Sequence, residues 1–344
     1  MCDIHLCEPD KTVNDDRIEV THTRRTTRAL VVLLTAGLIG FLAACSSSDD
    51  DNASSSSSEN FTPVSIDHEY GSTKIDTKPT KVVTLITDWT DTLAALNVPI
   101  TAEFVPQGNK AFEWTPKHDS EVVEVADPSQ VSVGELAKYE PDLILAGYVG
   151  DKARYDKLAE IAPTIPVLTK GATVDTWEKI TTTAGQIFGK QQEAAQLVDT
   201  TNKKISDFKS KYPAAAGKTF TFAQVGPTGQ VGAINTTEDA AAGLIAQLGF
   251  TLNPKVAAQH KEGSTRSLIS AERIDLLDSD LLVVYTPGGD PAVAERVPGW
   301  SSLPAVKKGT VIFLDDKTQP AFSVPSAPSV GFVIDKLSPL AAKF

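Results

Sequence analysis

The chain has 344 residues and a formal net charge of −12 at neutral pH. An acidic chain of this kind lacks the basic surface that nucleic acid or anionic lipid requires, so we expect neither as a general partner. The length suffices for two domains or one large one.

The apolar run from Ala29 to Ala44 predicts a secretory signal peptide over residues 1–44. Arg24, Arg25 and Arg28 precede the run, and basic residues before a short apolar core are typical of such signals. The run has 16 residues, whereas a membrane-spanning helix needs about 20. A permanent membrane helix is the alternative.

The exit from this run, Leu42-Ala43-Ala44-Cys45, resembles the lipobox of bacterial lipoproteins. The resemblance implies cleavage before Cys45, a lipid on its sulfur and an extracytoplasmic, membrane-anchored protein. A plain signal peptide with an incidental cysteine is the alternative. Cys2 and Cys7 would leave with the signal, so Cys45 has no partner for an intrachain disulfide. The following residues, 45–62, are mostly Ser, Asp and Asn and predict a disordered tether.

Residues 63–172 predict an N-terminal α/β lobe, because short apolar strands alternate with helical segments. A strand from Val82 to Ile86 precedes a helix near Asp91 to Leu96, which Asp88 or Thr90 could cap. Another fully apolar strand lies in the segment DLILAG. Strands without polar alternation are typical of a parallel sheet covered on both faces.

Residues 173–211 predict one long, rigid helix between two lobes. The stretch from Asp175 to Lys211 has no proline, and its apolar residues recur at helical spacing. Gly185 and Gly189 interrupt the pattern. Two helices broken near Gly189 are the alternative.

Residues 212–344 predict a C-terminal α/β lobe. Strands are indicated in KTFTFAQVG, DLLVVYT and GTVIFLD, with helical segments between them. The segment GPTGQVG lacks the spacing of a dinucleotide-binding loop and predicts a turn. The chain is therefore expected to form two α/β lobes, each with a parallel sheet and flanking helices.

Catalytic signatures are scarce along this chain. It has no G-x-S-x-G nucleophile motif, no P-loop and no H-E-x-x-H pair. His68, His118 and His260 stand alone, so no metal site is predicted. Ligands bind such sheets beyond the carboxyl ends of the strands, which favours a ligand-capture protein without a cofactor over an enzyme. A surface enzyme or a structural envelope lipoprotein is the alternative.

Five segments carry a more specific resemblance: KVVTLITDWTDTLAALNVP, VSVGELAKYEPDLILAG, YDKLAEIAPTIPV, LISAERIDLLDSDLLVV and LPAVKKGTVIFLD. From about Pro79 to Lys343 the chain resembles the solute-binding proteins of ABC importers for iron-siderophore, haem and cobalamin. The resemblance implies two Rossmann-like lobes on a rigid helix, a ligand cleft between them and delivery of a ferric chelate to a membrane permease. We expect a monomer.

Candidate ligand-binding residues follow from their positions at strand ends and in loops. Aromatic side chains would pack on the organic part of a chelate, and cationic or amide side chains would meet its oxygens. The candidates are Thr87, Trp89, Trp114, Tyr148, Arg154, Gln224, Arg266 and Tyr285. Trp114 could instead be a packing residue, and Arg154 a surface charge.

The residues after two strands indicate the cargo class. Relatives that bind catecholate siderophores tend to carry arginines there, whereas this chain has Tyr148 and Tyr285-Thr286. The difference favours a hydroxamate, carboxylate or mixed chelate. Haem is the alternative, because Tyr148 or Tyr285 could serve as an axial ligand; cobalamin is a further one.

Two glutamates are candidates for docking on the permease. In the family that this chain resembles, one glutamate on each lobe meets arginines of the permease. The matching segments here place Glu135 and Glu272 near predicted helix starts. The alternative is that both only stabilise the N-termini of their helices.

Overall fold

The computed structural model describes residues 61–110 and 112–344. The predicted signal peptide 1–44, the predicted lipidation site Cys45 and the tether up to residue 60 lie outside the described residues. No helix within the described part is long and apolar enough to cross a membrane. The described residues build two separate α/β lobes.

The N-terminal lobe is built on a parallel sheet of strand order β5-β4-β3-β6-β7. Its elements are β1 (Val64–His68), β2 (Gly71–Ile75), β3 (Val82–Thr84), α1 (Thr87–Ala95), β4 (Ala102–Pro106), β5 (Glu121–Val125), α2 (Val133–Ala137), β6 (Leu143–Gly147), α3 (Lys152–Ala159) and β7 (Thr164–Pro166). Each neighbouring pair in the sheet is parallel, as the apolar strands predicted. The antiparallel hairpin β1–β2 was not predicted.

The central strands of this sheet are buried on both faces. Val82, Leu143 and Leu145 belong to one hydrophobic core, whereas Val83 and Ile144 belong to another on the opposite face. Because side chains alternate along a strand, an uninterrupted apolar run is what such a central strand needs.

Helix α1 begins earlier than predicted. Its N-cap is Ile86, which makes no side-chain capping hydrogen bond. Asp88 and Thr90 therefore lie inside the helix, and the prediction that one of them caps it was wrong. The early start matters for the site, because it moves Trp89 from a loop onto a helix.

The connecting segment is two helices rather than one. Helix α4 (Trp177–Phe188) ends at Gly189, which has a left-handed φ of 67°, and helix α5 (Gln191–Lys211) follows. A Cβ at Gly185 would lie 2.6 Å from Cβ of Ala194, so the two helices approach closely behind the break. The prediction of a single helix over 173–211 was wrong, and the alternative with a break near Gly189 is correct.

Both helices nevertheless join the lobes. The end of α4 and the start of α5, at Phe188 and Ala194, lie in a core of the N-terminal lobe. The start of α4 and the end of α5, at Trp177, Ile205 and Phe208, lie in a core of the C-terminal lobe. The pair therefore runs antiparallel, and the 21-residue α5 is the long helix that links the lobes.

The C-terminal lobe is built on a sheet of order β11-β9-β8-β12-β13, with β10 also beside β8. Its elements are β8 (Thr219–Val225), β9 (Val231–Ile234), α6 (Ala240–Gln247), β10 (Thr251–Leu252), α7 (Pro254–Ala257), β11 (Arg266–Ile269), β12 (Leu281–Tyr285), α8 (Pro291–Glu295), α9 (Pro304–Lys308), β13 (Val311–Leu314), α10 (Gln319–Ser323) and α11 (Ala327–Ala341).

This second sheet is mixed, which corrects the prediction of a parallel sheet in both lobes. Strands β8, β10, β12 and β13 are parallel, but β9 is antiparallel to both β8 and β11. The cause is a hairpin turn, in which the Gly226 amide donates to the Gln230 carbonyl at 2.8 Å. The GPTGQVG segment is thus a turn, as predicted.

Candidate functional site

Tyr148 lies directly after β6, at the carboxyl edge of the N-terminal sheet. The preceding residue, Gly147, has a φ of 62°, and a Cβ there would lie 2.9 Å from Cγ2 of Ile86. Only glycine fits this turn without strain. The turn leaves Tyr148 48% exposed, which is unusual for a large apolar side chain in this protein.

The cavity beside Tyr148 is bounded by both lobes. Its volume is about 220 Å³, and its walls include Glu69, Val167 and Thr173 from the N-terminal lobe. Gly263, from the loop before β11, contributes to the same wall. Tyr148 therefore lies in a cleft between the lobes, where the sequence placed it.

The C-terminal wall of the cleft brings three predicted residues together. Gln224 at the end of β8, Tyr285 at the end of β12 and Arg266 at the start of β11 line one small cavity of about 40 Å³. Gln224 and Arg266 also line a larger cavity of about 340 Å³, together with Gln230 and Leu268. Gly263, three residues before Arg266 in the chain, lines the Tyr148 cavity instead.

Acidic side chains contact two of the polar residues of this wall, Tyr285 and Arg266. The Tyr285 hydroxyl donates to Oδ1 of Asp316 at 2.6 Å, and burial together with that carboxylate raises the pKa of Tyr285 to about 12. Nε of Arg266 lies 4.0 Å from Oδ2 of the buried Asp239. Burial raises the pKa of Asp239, and the charge of Arg266 opposes that shift.

The structure contradicts the prediction that Trp89 is an aromatic wall of the cleft. Its side chain is fully buried in a core of the N-terminal lobe, against α4 and the sheet. The reason is the start of α1 at Thr87, since in the first turn of that helix Trp89 points to the sheet rather than to the strand ends. Trp89 is therefore a packing residue.

Trp114 and Arg154 are also used within the protein. Trp114 stacks on Phe112 with ring centroids 4.6 Å apart, contacts Phe332 of α11 at 4.9 Å and donates from Nε1 to Asp91 at 2.8 Å. The Arg154 guanidinium donates to the carbonyl of Val131. Neither residue lines the cleft cavities described above. Packing is the better interpretation of Trp114, as its alternative stated. Arg154 is a half-buried residue that bonds the backbone within its own lobe, rather than the free surface charge of its alternative.

Thr87 lines a different, open cavity of about 650 Å³, whose described lining residues all fall within 87–122 of the N-terminal lobe. Glu103 forms part of its floor and accepts hydrogen bonds from His118 at 3.1 Å and Ser120 at 2.8 Å. Burial lowers the pKa of His118, but its hydrogen bonds to the Pro116 carbonyl and to Glu103, with the charge of that carboxylate, leave the pKa raised. The cavity does not include Tyr148, Arg266 or the other cleft residues.

A buried carboxylate ties the lobes together beside this cavity. Asp91 of α1 accepts hydrogen bonds from Trp114, from Thr115 and from Ser326, which is the N-cap of α11 in the other lobe. Its side chain is 1% exposed. Burial raises the pKa of Asp91 to about 6 against the three hydrogen bonds, which lower it.

Leu268 is the residue of the cleft wall that the sequence did not reveal. It lies on the edge strand β11 and is 90% exposed. The alternation of Arg266, Ser267, Leu268 and Ile269 along β11 places Arg266 and Leu268 on one face. The sequence carries no clear signal for this exposure, because Leu268 stands beside the apolar, buried Ile269.

The two docking candidates lie near the starts of short helical segments. Glu135 is half-buried in the first turn of α2, and its amide donates to Oγ of the N-cap Ser132 at 3.2 Å. Glu272 is exposed in a 3-10 segment that follows the N-cap Ser270. Among the described residues, no group of three or more His, Cys, Asp or Glu is arranged to hold a metal ion.

Comparison with known proteins places this architecture in a family. Residues 82–318 match the periplasmic binding protein family. The chain therefore belongs to that family, whose members are solute-binding proteins rather than enzymes and act outside the cytoplasm.

Individual relatives share most of the chain. It is 28% identical over 261 residues to the Fe(3+)-citrate-binding protein YfmC of Bacillus subtilis, which covers 75% of this chain and 80% of the relative. The Staphylococcus aureus SirA structure with staphyloferrin B has a TM-score of 0.65 and 25% identity, covering 81% and 98% of the two chains. The iron uptake ABC transporter substrate-binding protein PiaA of Streptococcus pneumoniae shares the fold, with a TM-score of 0.68, 22% identity and coverage of 82% and 100%.

Proposed function

We propose that this chain is a lipid-anchored solute-binding protein that captures a ferric siderophore between its lobes and delivers it to an ABC importer permease. The observation that carries the proposal is the exposed Tyr148, which shares a cavity with Gly263 of the opposite lobe. Family membership and the iron-related relatives supply the chemical class of the cargo.

The cleft has the parts that a chelate needs. Tyr148 and Leu268 offer exposed apolar surface, and large exposed apolar groups mark binding surfaces. Gln224 and Arg266 supply donors for chelate oxygens. The iron arrives fully coordinated by the chelator, so the protein needs no metal ligands of its own, and no cofactor is proposed.

The contacts of Tyr285 make haem a weaker candidate for the cargo than a ferric siderophore. A tyrosine binds haem iron best as a phenolate, but the Tyr285 hydroxyl donates to Asp316 and its pKa is raised to about 12. Deprotonation beside that carboxylate is unfavourable. Tyr148 is the remaining axial candidate for haem.

The anchoring and delivery steps rest on the sequence. A lipid on Cys45 would hold the protein at the membrane, and Glu135 with Glu272 would meet arginines of the permease. We propose that the protein acts as a monomer and catalyses no reaction.

Calorimetric titration of the full chain in mild detergent tests the capture step. Ferric siderophores of several classes, haem and cobalamin serve as ligands. Tyr148→Ala is the cleft variant, and Tyr212→Ala, at a partly buried position that lines none of the cleft cavities, is its control. Saturable binding of a ferric siderophore that weakens about tenfold in Tyr148→Ala alone supports the proposal. Binding of haem or cobalamin, and of no ferric siderophore, would overturn it.

A further inference from the structure

The charge of the cleft wall indicates which ferric complexes it accepts. Among the described residues that line the three cleft cavities, Arg266 is the only cation and Glu69 the only acid. The wall itself is therefore close to neutral.

The acids behind the wall make the local balance negative. Asp239 lies 4.0 Å from Nε of Arg266, so it cancels part of the field that the guanidinium presents to the cleft. Asp316 accepts the Tyr285 hydroxyl at 2.6 Å, so this phenol directs its proton to the protein rather than to the cargo. Two carboxylates thus contact the side chains that line the cleft, although neither carboxylate lines it directly.

The neighbouring loops do not reverse that balance. Asp315 and Lys317 flank Asp316 and have opposite charges, as do Lys261 and Glu262 beside Gly263. Lys170 is next to the wall residue Gly171. One further lysine against the two buried or hydrogen-bonded acids, Asp239 and Asp316, still leaves no excess of positive charge.

The uncharged groups complete the pattern. Leu268 is 90% exposed and Tyr148 is 48% exposed, and they are two of the three exposed large hydrophobic residues in the described part of the chain. Gln224 and Gln230 add neutral donors and acceptors beside Leu268. Such a surface suits a ligand that carries apolar chains and amide-like oxygens, without a high negative charge.

We propose that the cleft selects ferric hydroxamate complexes of zero or single positive charge and discriminates against trianionic catecholate complexes. The inference rests on the proposed capture of a ferric siderophore. Discrimination of this kind arises mainly from repulsion by Asp239 and Asp316, since a like charge near an incoming ligand suppresses the wrong partner.

Titration calorimetry on the full chain in mild detergent tests the selection. The probes are ferrichrome, which is neutral, ferrioxamine B, which carries one positive charge, and ferric enterobactin, which carries three negative charges. We expect the two hydroxamates to bind at least about 100-fold more tightly than ferric enterobactin at about 0.15 M salt, with affinities nearly independent of salt. Tighter binding of the trianion would overturn the charge selection while leaving siderophore capture in place.

Removing the two carboxylates gives a sharper test. Asparagine can still cap α6 in place of Asp239 and accept the Tyr285 hydroxyl in place of Asp316. Asp239→Asn with Asp316→Asn should raise the affinity for ferric enterobactin about tenfold or more and change that for ferrichrome less than about threefold. Asp199→Asn, an exposed acid on α5, is the matched control and should change neither. Equal effects of the double variant on both ligands would overturn the electrostatic explanation, and loss of all ferric binding in favour of haem would overturn the proposed function as well.

Discussion

Asp91 gives the clearest quantitative prediction, because it is a buried carboxylate with no cation among its hydrogen-bond partners. Its pKa is raised from 3.8 to about 6, chiefly by burial. Between these two values the folded protein holds a proton that the unfolded chain has lost, so the wild type loses stability as the pH rises through this window. At about 1.36 kcal/mol per pKa unit, the loss attributable to Asp91 is about 3 kcal/mol.

Asp91→Asn removes this ionisation and keeps most of the contacts. The amide oxygen can accept from Trp114 and Ser326, both of which bond Oδ2, and the Thr115 hydroxyl can rotate to accept from the amide nitrogen. The free energy of unfolding of the variant, minus that of the wild type, should therefore rise by about 2 kcal/mol from pH 4 to pH 6.5 and level off above about pH 7.

Urea unfolding at constant ionic strength across that pH range measures the difference. Burial raises the pKa of the nearby Asp88, and the charge of Asp91 adds to that shift, so the contribution of Asp88 cancels only in part between the two proteins. Thr115→Val provides a second check, because loss of one hydrogen bond should raise the pKa of Asp91 and extend the window to higher pH. A difference that is independent of pH, or that falls as the pH rises, would refute the reasoning.

Three further predictions concern other parts of the chain. Gly189→Ala should destabilise the fold by about 1–2 kcal/mol, because the position has a φ of 67°; equal unfolding midpoints for the variant and the wild type would contradict a left-handed break there. Cys45→Ser should release the protein from the membrane into the soluble fraction, and retention after a high-salt wash would show that the lipid is not the anchor. Glu135→Ala with Glu272→Ala should leave chelate affinity unchanged and abolish uptake in cells, whereas the exposed pair Glu160→Ala with Glu295→Ala should do neither; normal uptake by the first pair would exclude it as the docking surface.

The sequence predicted best the strands that are buried on both faces. β6 and β12 are nearly continuous apolar runs, and β3 is short and fully buried; a central parallel strand allows few other patterns. The antiparallel strands β9 and β11 were missed because they are short, mixed in polarity and placed by a hairpin turn. Leu268 was missed with them, since its exposure depends on β11 being an edge strand.

The assignment of aromatic residues failed for a different reason. A helix turns about 100° per residue, so an error of a few residues at its start changes which side chains face the core. Helix α1 begins at Thr87 rather than near Asp91, and Trp89 is consequently buried. Tyr148 was placed correctly because it follows a strand whose end is fixed by Gly147.

The residues that join the two lobes differ from the residues proposed to contact the cargo. The lobes are joined by α4 and α5 on one side and by the Ser326–Asp91 hydrogen bond and the Trp114–Phe332 contact on another. Widening the cleft at this point would break a buried, charge-assisted hydrogen bond, which is among the stronger contacts in a protein. Tyr148 and Leu268, by contrast, are largely exposed and support no core. Substitutions at the cleft wall can therefore change cargo preference at little cost to folding. Substitutions of the buried tryptophans would instead destabilise the fold.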